Sequence, residues 1–190
     1  MTTPLNFITI DRHWFLTWTT YGTWLPGDQR GFVGRRPDEL GRNVRQNKYG
    51  TPAVAPNGRL RNFVRSNLKA PPIVLDSDQA AELFKQFEET ARIRGWLLIA
   101  VGIMPTHIHI VVGVPGDPDP DKILTDFKAY GSGRLNKKWG KPTSDTWWTT
   151  GGSTRKLPDD HSVEAAIQYI REQQNPLLIW TREEGLLSLK

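Results

Sequence analysis

Two apolar runs that follow each other almost without interruption constrain the fold of this chain most strongly. The first, WLLIAVGIM, occupies residues 96–104, and the second, HIHIVVGV, occupies residues 107–114. Each has the length and composition of a buried β-strand. Strands joined by a connection as short as MPT lie antiparallel, since a parallel pair needs a crossover of a dozen or more residues. The sequence therefore predicts an antiparallel pair of strands in the core.

The part of the chain before this pair predicts one strand and one helix. HWFLTWTTYG, residues 13–22, is rich in aromatic and β-branched side chains and stops at a glycine, which is typical of a strand. A helix begins near Asp78, with Asp76 or Ser77 as its cap. We expect Gly95 to end this helix, after several apolar residues at helical spacing.

The part after the pair predicts a second helix and a further strand. Pro120 begins a helix, and Gly131 and Gly133 are expected to break or end it. TWWTTGGSTRKL, residues 146–157, has the composition of a strand with a glycine kink.

The last helix opens at His161 or Ser162 and extends to about Gln174. The complete order is then strand, helix, strand, strand, helix, strand, helix. Two β-α-β halves in this order predict an α+β fold, a ferredoxin-like antiparallel sheet with helices packed on one face. We expect the chain of 190 residues to form a single domain.

Positive charge is concentrated in one irregular segment. The net charge is +5, but residues 29–70 hold eight arginines and two lysines against only Asp38 and Glu39. Residues from about 22 to 75 show no sustained period, which predicts a basic insertion in the domain. Such a concentration of charge favours a polyanionic partner. A loop that is basic only for solubility is the alternative.

Several classes of function are excluded by the composition. The chain has no cysteine, which rules out disulfides, thiolate metal sites and cysteine nucleophiles. No apolar run approaches the roughly 18 residues that a membrane span needs. The first residues do not combine a basic region with an apolar core, so we expect no signal peptide and a cytoplasmic protein.

Two of the four histidines lie two residues apart in the second apolar run. Side chains alternate along a strand, so His107 and His109 share one face, opposite the isoleucines beside them. Two imidazoles whose Cα atoms are about 6–7 Å apart can bind one metal ion. The alternative is a pair of polar side chains on the half-exposed face of a strand, and the spacing alone leaves both open.

A tyrosine and an amide residue lie one turn apart on the last helix. At about 100° per residue, Tyr169 and Gln173 project together beside the apolar stripe. A phenol and an amide oxygen at this spacing can approach the same ion-bound group, and a surface tyrosine with a neighbouring glutamine is the alternative. Tyr130 is the competing tyrosine, but it continues the apolar stripe of its own helix, so packing explains it better.

Three motifs resemble those of a known family. MPTHIHIVV is similar to the histidine–hydrophobic–histidine signature of the HUH single-tyrosine transposases, and YIREQ, residues 169–173, resembles their catalytic helix. TWWTTGGSTRKL is similar to the tryptophan-containing strand between the two motifs. The resemblance is closest to the insertion-sequence and REP-associated tyrosine transposases, and it covers about residues 76–176 and the first strand.

This resemblance implies an HUH endonuclease fold and a transposase that cleaves and rejoins single-stranded DNA at hairpins. Tyr169 would be the nucleophile and would form a 5′-phosphotyrosine intermediate. His107 and His109 would hold Mg²⁺ or Mn²⁺ with Gln173 as a third ligand, although the same donors also suit Zn²⁺. Members of the family recognise imperfect hairpins and often work as dimers, so the implied partners are a DNA hairpin and a second copy of the chain.

Basic residues in three places are candidates for DNA contacts. They lie in the insertion, near the second helix and after the tryptophan-containing segment: Arg35, Arg36, Arg59, Arg61, Arg65, Lys128, Arg134, Lys137, Lys138, Arg155 and Lys156. Eight tryptophans are many for this length, and some, such as Trp147 or Trp148, could stack on unpaired bases. Burial in the core is the favoured expectation for most of them.

Three alternative functions fit parts of the pattern. A histidine-triad nucleotide hydrolase would need a third histidine at the position of Val111. A catalytically inactive DNA-binding module derived from a transposase stays open, although both histidines, the tyrosine and the glutamine are retained. A structural or partner-binding protein with an ordinary pair of strand histidines is less consistent with the basic insertion and with the pairing of Tyr169 and Gln173.

Overall fold

The computed structural model describes residues 9–29, 35–37, 43–45 and 56–187, with only the backbone for the two short ranges. The strands in this part of the chain are β1 (Arg12–Thr19), β2 (Arg35–Pro37), β3 (Asn43–Arg45), β4 (Leu97–Ile103), β5 (His107–Val114), β6 (Ser153–Leu157), β7 (Leu178–Thr181) and β8 (Gly185–Leu186). The helices are α1 (Gly58–Ser66), α2 (Ser77–Arg94), α3 (Pro120–Trp139) and α4 (Asp160–Arg171).

Six of the strands form one antiparallel sheet in the order β6-β1-β5-β4-β7-β8, and β2 pairs with β3 separately. The predicted antiparallel pair, β4 and β5, lies at the centre of this sheet. The order β6-β1-β5-β4, with α2 and α3 as the intervening helices, is the ferredoxin-like arrangement. The predicted α+β fold class is confirmed, and the segment predicted as a basic insertion contains β2, β3 and α1.

The larger core lies between one face of the sheet and the helices α2 and α3. Even-numbered residues of β5, and of β1 from Trp14 onward, are buried in it, as alternation along a strand requires; Trp18 and Ile110 are examples. Phe87 of α2 meets both Trp18 and Phe127 edge to face, with ring centres 5.7 Å apart in each pair. These aromatic contacts hold both helices against the central strands.

Helix α4 packs on the opposite face of the sheet, so the expectation that the helices share one face is wrong. Its residues Ala166 and Ile170 pack against Ala100 of β4 and Val111 of β5. The physical reason is that β4 and β5 are apolar on both faces, and a sheet of that kind must be covered on both sides. The face of β5 that carries the histidines therefore lies under α4.

Local capping determines where α2 begins and ends. Asp76 caps its first turn and forms a capping box with Gln79, and Gly95 follows its last turn, as the sequence predicts. In the described ranges, no helix is both long enough and apolar enough to cross a lipid bilayer.

The predicted bounds of the last helix are wrong at both ends. Asp159 caps α4, because its side chain accepts a hydrogen bond from the Ser162 backbone N–H at 2.8 Å. The helix then includes His161 in its first turn and ends at Arg171, so Gln173 lies beyond its last turn.

The expectation that glycines break or end the second predicted helix is also wrong, since α3 continues to Trp139. A Cβ atom on Gly131 would lie 3.1 Å from Leu83 Cδ2 and 3.3 Å from Phe87 Cε1. Glycine at this position lets α2 and α3 approach each other closely. A Cβ atom on Gly133 would meet nothing within 4 Å.

Tyr130 does not belong to the core, so the expectation that packing explains it is wrong. Its side chain is 47% exposed, and its hydroxyl accepts a hydrogen bond from Arg94 at 3.3 Å. It sits on α3, across the sheet from the two histidines. The buried stripe of α3 continues beside this residue, through Phe127, Gly131 and Leu135.

The tryptophan-containing segment is a strand only over its last five residues. Residues 146–152 are irregular apart from one bridge between Thr20 and Trp148, and β6 begins at Ser153. Trp147 and Trp148 are buried, and their indole N–H groups donate to Asn136 Oδ1 and to the carbonyl of Lys128. The expected burial is confirmed for this pair, which is consequently not placed to stack on bases.

We expect the same substitution at the two α3 glycines to change stability in opposite directions. Gly133→Leu replaces an exposed glycine with a good helix former and should raise the free energy of unfolding by up to about 1 kcal/mol. Gly131→Leu should lower it by about 1–3 kcal/mol, because the new side chain overpacks against Leu83 and Phe87. Denaturant unfolding measures both changes. Equal shifts in the two variants would contradict the close approach of α2 and α3.

Candidate active site

Strand register brings the two histidines together with side chains of β1. His109 is paired with Thr17, and His107 with Thr19, across the β1–β5 ladder. Phe15 lies on the same face and stacks on His109, with ring centres 5.2 Å apart and the rings inclined by 18°. Alternation along both strands thus produces one cluster under α4.

His109 is the buried member of this cluster, with only 4% of its surface exposed. Its Nδ1 lies 2.7 Å from Thr17 Oγ1, whereas its Nε2 is buried with no hydrogen-bond partner among the described residues. When Nδ1–H donates to Thr17, Nε2 carries the lone pair, which is the form that binds a metal ion. A buried nitrogen without a partner is costly, so Nε2 marks a position where something can bind.

The environment keeps His109 uncharged. Burial, and then the nearby charge of His107, lower the pKa of His109 to about 3. The reference value for histidine is about 6.5, so His109 is neutral over the physiological pH range. A metal-binding imidazole must be neutral.

His107 lies half-buried at the edge of the cluster, where the end of α4 reaches it. Its Nδ1 is 3.1 Å from Thr106 Oγ1, and its Nε2 is 3.3 Å from Gln173 Oε1. Gln173 Nε2 donates to the carbonyl of Tyr169 at 3.1 Å, which turns Oε1 toward His107. The rings of His107 and His109 are 5.0 Å apart, so the structure places two imidazoles and one amide oxygen together.

Tyr169 covers His109 from the side of α4. Its ring centre is 5.3 Å from that of His109 and 5.8 Å from that of Phe15, and half of its surface is exposed. The next residue, Ile170, packs over Gly102 of β4, where a Cβ atom would lie only 2.9 Å from Ile170 Cγ2. Glycine at this position lets α4 lie close enough to the sheet for Tyr169 to contact His109.

The donors of this cluster suit a divalent cation. Two neutral imidazoles and an amide oxygen are a common mixed donor set, and three protein ligands leave positions for water and phosphate oxygens. Within the described ranges, no group of three or more histidine, cysteine, aspartate or glutamate residues is placed to hold a metal. Gln173 Oε1, 3.3 Å from His107 Nε2, is the amide oxygen beside the two imidazoles, and the unpartnered Nε2 of His109 is consistent with a metal at this position.

One of the predicted DNA-binding residues, Arg155, lies beside the cluster, whereas Lys156 pairs with Trp14 and projects to the other face of the sheet. Arg155 and Lys156 are exposed on β6, which is an edge strand, and the Arg155 guanidinium is 6.0 Å from the ring centre of Phe15. Three others are on α1: Arg59, Arg61 and Arg65. The side chains of Arg35 and Arg36 lie outside the described residues.

The remaining predicted DNA-binding residues belong to α3, on the other side of the sheet. Arg134 and Lys138 form ion pairs with Glu82 of α2, and Lys137 is exposed. Lys128 donates to a backbone carbonyl of the loop before β6 at 2.7 Å, and burial lowers its pKa to about 8. Arg155, which lies opposite Phe15 on the face of the histidines, is thus on the other side of the sheet from these four.

The sequence analysis missed the residues that support the histidines. Thr17 and Phe15 alternate along β1 as residues of one face must, but the register that brings them to His109 involves strands about 90 residues apart in the chain. Thr106 adjoins His107 in the sequence, but no sequence pattern indicates that its hydroxyl contacts the His107 ring. Gly102 lies inside an apolar run, and its role depends on the approach of α4.

Comparison with known proteins gives two solved structures of low sequence identity. A REP-associated tyrosine transposase bound to a REP hairpin is 13% identical, with 90% of this chain and 70% of that chain covered and a TM-score of 0.45. A proposed transposase from Deinococcus radiodurans is also 13% identical, with 92% and 99% of the two chains covered and a TM-score of 0.46. No curated protein matches the chain.

Among protein families, the one described as "Transposase IS200 like" matches residues 69–173. The matched segment is more than half of the 190 residues and runs from before α2 to Gln173. It contains His107, His109 and Tyr169, the three aromatic side chains that meet under and along α4. On the extent of this match, the chain belongs to the IS200-like transposase family.

Proposed function

We propose that this chain is a metal-dependent single-tyrosine transposase that cleaves and rejoins single-stranded DNA, with Tyr169 as its nucleophile. The observation that carries the proposal is the contact between Tyr169 and His109, whose neutral, buried Nε2 has no hydrogen-bond partner in the described part of the chain. A phenol beside a nitrogen that can bind metal supplies both parts that this chemistry needs. Membership of the IS200-like transposases supports the same activity.

In the proposed step, the phenolic oxygen of Tyr169 attacks the phosphorus of one phosphodiester. The bond between phosphorus and the 3′ oxygen breaks, the phenol loses its proton, and the leaving 3′ oxygen gains one. The products are a 5′-phosphotyrosine and a free 3′-hydroxyl. Because one phosphate ester replaces another, the reverse attack by a 3′-hydroxyl rejoins DNA without an external energy source.

His107, His109 and Gln173 are the proposed ligands of Mg²⁺ or Mn²⁺. When bound, the ion supplies Lewis acidity at the scissile phosphate. A phenol has a reference pKa of about 10 and is a weak nucleophile at neutral pH, so it needs nearby positive charge. Thr17 holds the His109 ring in the required orientation, and Phe15 packs against the rings of both His109 and Tyr169.

The proposed substrate is a single strand that carries a hairpin, as the resemblance of the motifs implies. Arg155 is the proposed phosphate contact beside Tyr169, because it is exposed on the edge strand β6 and its guanidinium lies 6.0 Å from the ring centre of Phe15. Lys156 is exposed on the opposite face of the same strand, and we propose it as a more distant phosphate contact. Such contacts position a strand without reading its sequence. A DNA substrate also agrees with the proposed cytoplasmic location.

Replacing the nucleophile should abolish the covalent intermediate. With a labelled library of single-stranded hairpins and Mn²⁺, the wild-type protein should form an adduct that survives denaturing electrophoresis. Tyr169→Phe should reduce the adduct to the protein-free background while DNA binding stays near the wild-type level, and Tyr130→Phe is the matched control that should keep it. An adduct that persists in Tyr169→Phe would contradict the proposal. DNA binding by the wild-type protein without any adduct would favour the inactive DNA-binding module.

Metal affinity should depend on the hydroxyl that orients His109. Thr17→Val removes the partner of Nδ1 and should weaken Mn²⁺ binding by roughly 10–100-fold, measured by electron paramagnetic resonance of the free ion. Thr154→Val is a matched control, since Thr154 lies on the adjoining strand but contacts Asp121 on the other face. Unchanged Mn²⁺ affinity in both His107→Ala and Thr17→Val would contradict the assigned ligands.

The distance between α4 and the sheet should control the rate of cleavage. Gly102→Ala pushes Ile170 outward and should slow adduct formation by about 10–100-fold, with Mn²⁺ and DNA affinity less affected. Gly113→Ala is the matched control, because its Cβ would crowd a methyl of Ile10 at 2.7 Å on the same sheet, away from Tyr169. An equal loss of rate in both variants would mean that general crowding of the sheet, rather than the position of Tyr169, limits the reaction.

A further inference from the structure

A second candidate site lies where the basic segment adjoins the sheet. The turn after β1 and helix α1 enclose a cavity of about 210 Å³. Leu25 and Pro72 form its apolar part, and Asp28, Arg61 and Arg65 supply charged groups. Both α1 and this turn lie outside residues 69–173, so the family match does not account for them.

Backbone hydrogen bonds hold the walls of this cavity together. The Asn57 N–H donates to the carbonyl of Gly27 at 3.1 Å, and the Asn57 side chain caps α1. Gly27 has a φ of +86°, and a Cβ atom there would lie 2.3 Å from the Asn57 carbonyl oxygen, so the turn requires glycine. On the other side, the Tyr21 carbonyl accepts from the Ile73 N–H at 2.9 Å. The backbone that carries the charged side chains is therefore fixed by these hydrogen bonds.

The charges in the cavity include both donors and an acceptor. Arg61 and Arg65 lie one turn apart on α1 and both line the cavity. Asp28 is only 7% exposed, and its Oδ2 forms an ion pair with Arg61 Nε at 3.9 Å. Guanidinium groups can stack on bases and bind phosphate, and a carboxylate can accept from the amino groups of bases. This combination suits a nucleotide better than a bare anion.

The cavity adjoins the candidate active site through Thr106. This residue lines the cavity, and its Oγ1 lies 3.1 Å from Nδ1 of His107. The Thr106 carbonyl accepts hydrogen bonds from the hydroxyls of Thr20 and Thr23, which fixes this wall. A strand held at the histidines would therefore have the cavity on the other side of one residue, Thr106.

We propose that this cavity binds one unpaired nucleotide of the DNA strand that flanks the cleaved phosphate. The base would enter beside Leu25 and Pro72, with Arg65 against its face or its phosphate. A volume of about 210 Å³ is below the roughly 300–1,000 Å³ of pockets for drug-sized ligands, and it suits a single base. The proposal rests on the proposed function, because it takes the strand at the histidines to be DNA.

Removal of single bases tests this proposal. The probe is the hairpin with the highest adduct yield or, if none gives an adduct, the hairpin bound most tightly by Tyr169→Phe. Affinity is measured by fluorescence anisotropy in the Tyr169→Phe background, so cleavage does not interfere. An abasic nucleotide is placed at each unpaired position in turn. We expect one position at which loss of the base weakens binding by about tenfold, the range of stacking on one base.

Two arginines of α1 provide a matched pair for the same measurement. Arg65→Ala removes a residue that lines the cavity, and Arg59→Ala removes an equal charge from the same helix outside it. Arg65→Ala should weaken binding of the intact strand and should largely abolish the penalty at the one sensitive position. Arg59→Ala should leave that penalty unchanged.

The outcomes separate this proposal from the proposed function. A covalent adduct with no base-dependent position, or with equal penalties in Arg59→Ala and Arg65→Ala, overturns the nucleotide cavity and leaves the transposase chemistry standing. A sensitive position that depends on Arg65, without any adduct, supports the cavity in a DNA-binding module and overturns the chemistry.

Discussion

Strand β5 is buried on both of its faces, and the remainder of the structure is arranged around that burial. One face carries isoleucine and valine side chains that pack on α2 and α3, and the other carries Val111 together with the two histidines. An apolar strand between two others cannot leave either face in water without losing the stabilisation of its side chains. Because the second face of the sheet must also be buried, α4 packs on it, and this packing places Tyr169 beside the histidines. The site thus follows from the same burial that stabilises the core.

The cluster under α4 is a polar group inserted in an apolar layer. Phe15, Val111 and Ile170 surround the inner histidine, so its charged form is strongly disfavoured, as its lowered pKa shows. Thr17 provides one hydrogen bond, and the second ring nitrogen remains without a partner in the described ranges. Stability alone would favour an apolar residue at such a position. An imidazole at this position is consistent with the proposed metal binding.

Local signals in the sequence were sufficient for much of the fold. Alternation in HIHIVVGV predicted both faces of β5, and Asp76, one of the two predicted caps, marks the start of α2. The same kind of signal failed wherever the outcome depended on distant contacts. The apolar stripe of an amphipathic helix such as α4 does not predict which face of a sheet the helix packs on. In the sequence, Gly131 suggests a helix break. The structure shows that glycine is needed there because Leu83 and Phe87 of α2 occupy the space that a side chain would fill.

In the candidate site too, some residues could be predicted from the sequence and others could not. His107, His109, Tyr169 and Gln173 were identified from spacing and motif, and the structure places these four together. Their supporting residues could not be identified, because the contact between Thr17 and His109 arises from strand pairing over a long sequence separation. The cavity beside α1 was equally hidden, since the segment has no apolar period and its walls meet only through tertiary hydrogen bonds.

Gln173, beyond the last turn of α4, contacts both the Tyr169 backbone and the His107 ring. Gln173 donates to the carbonyl of Tyr169 through one atom of its amide group and lies beside His107 through the other. Tyr169 itself lies against His109. Both histidines are therefore engaged by one end of one helix, within five residues of chain. A displacement of that helix end would break the contact between Gln173 and His107 and the contact between Tyr169 and His109 at the same time.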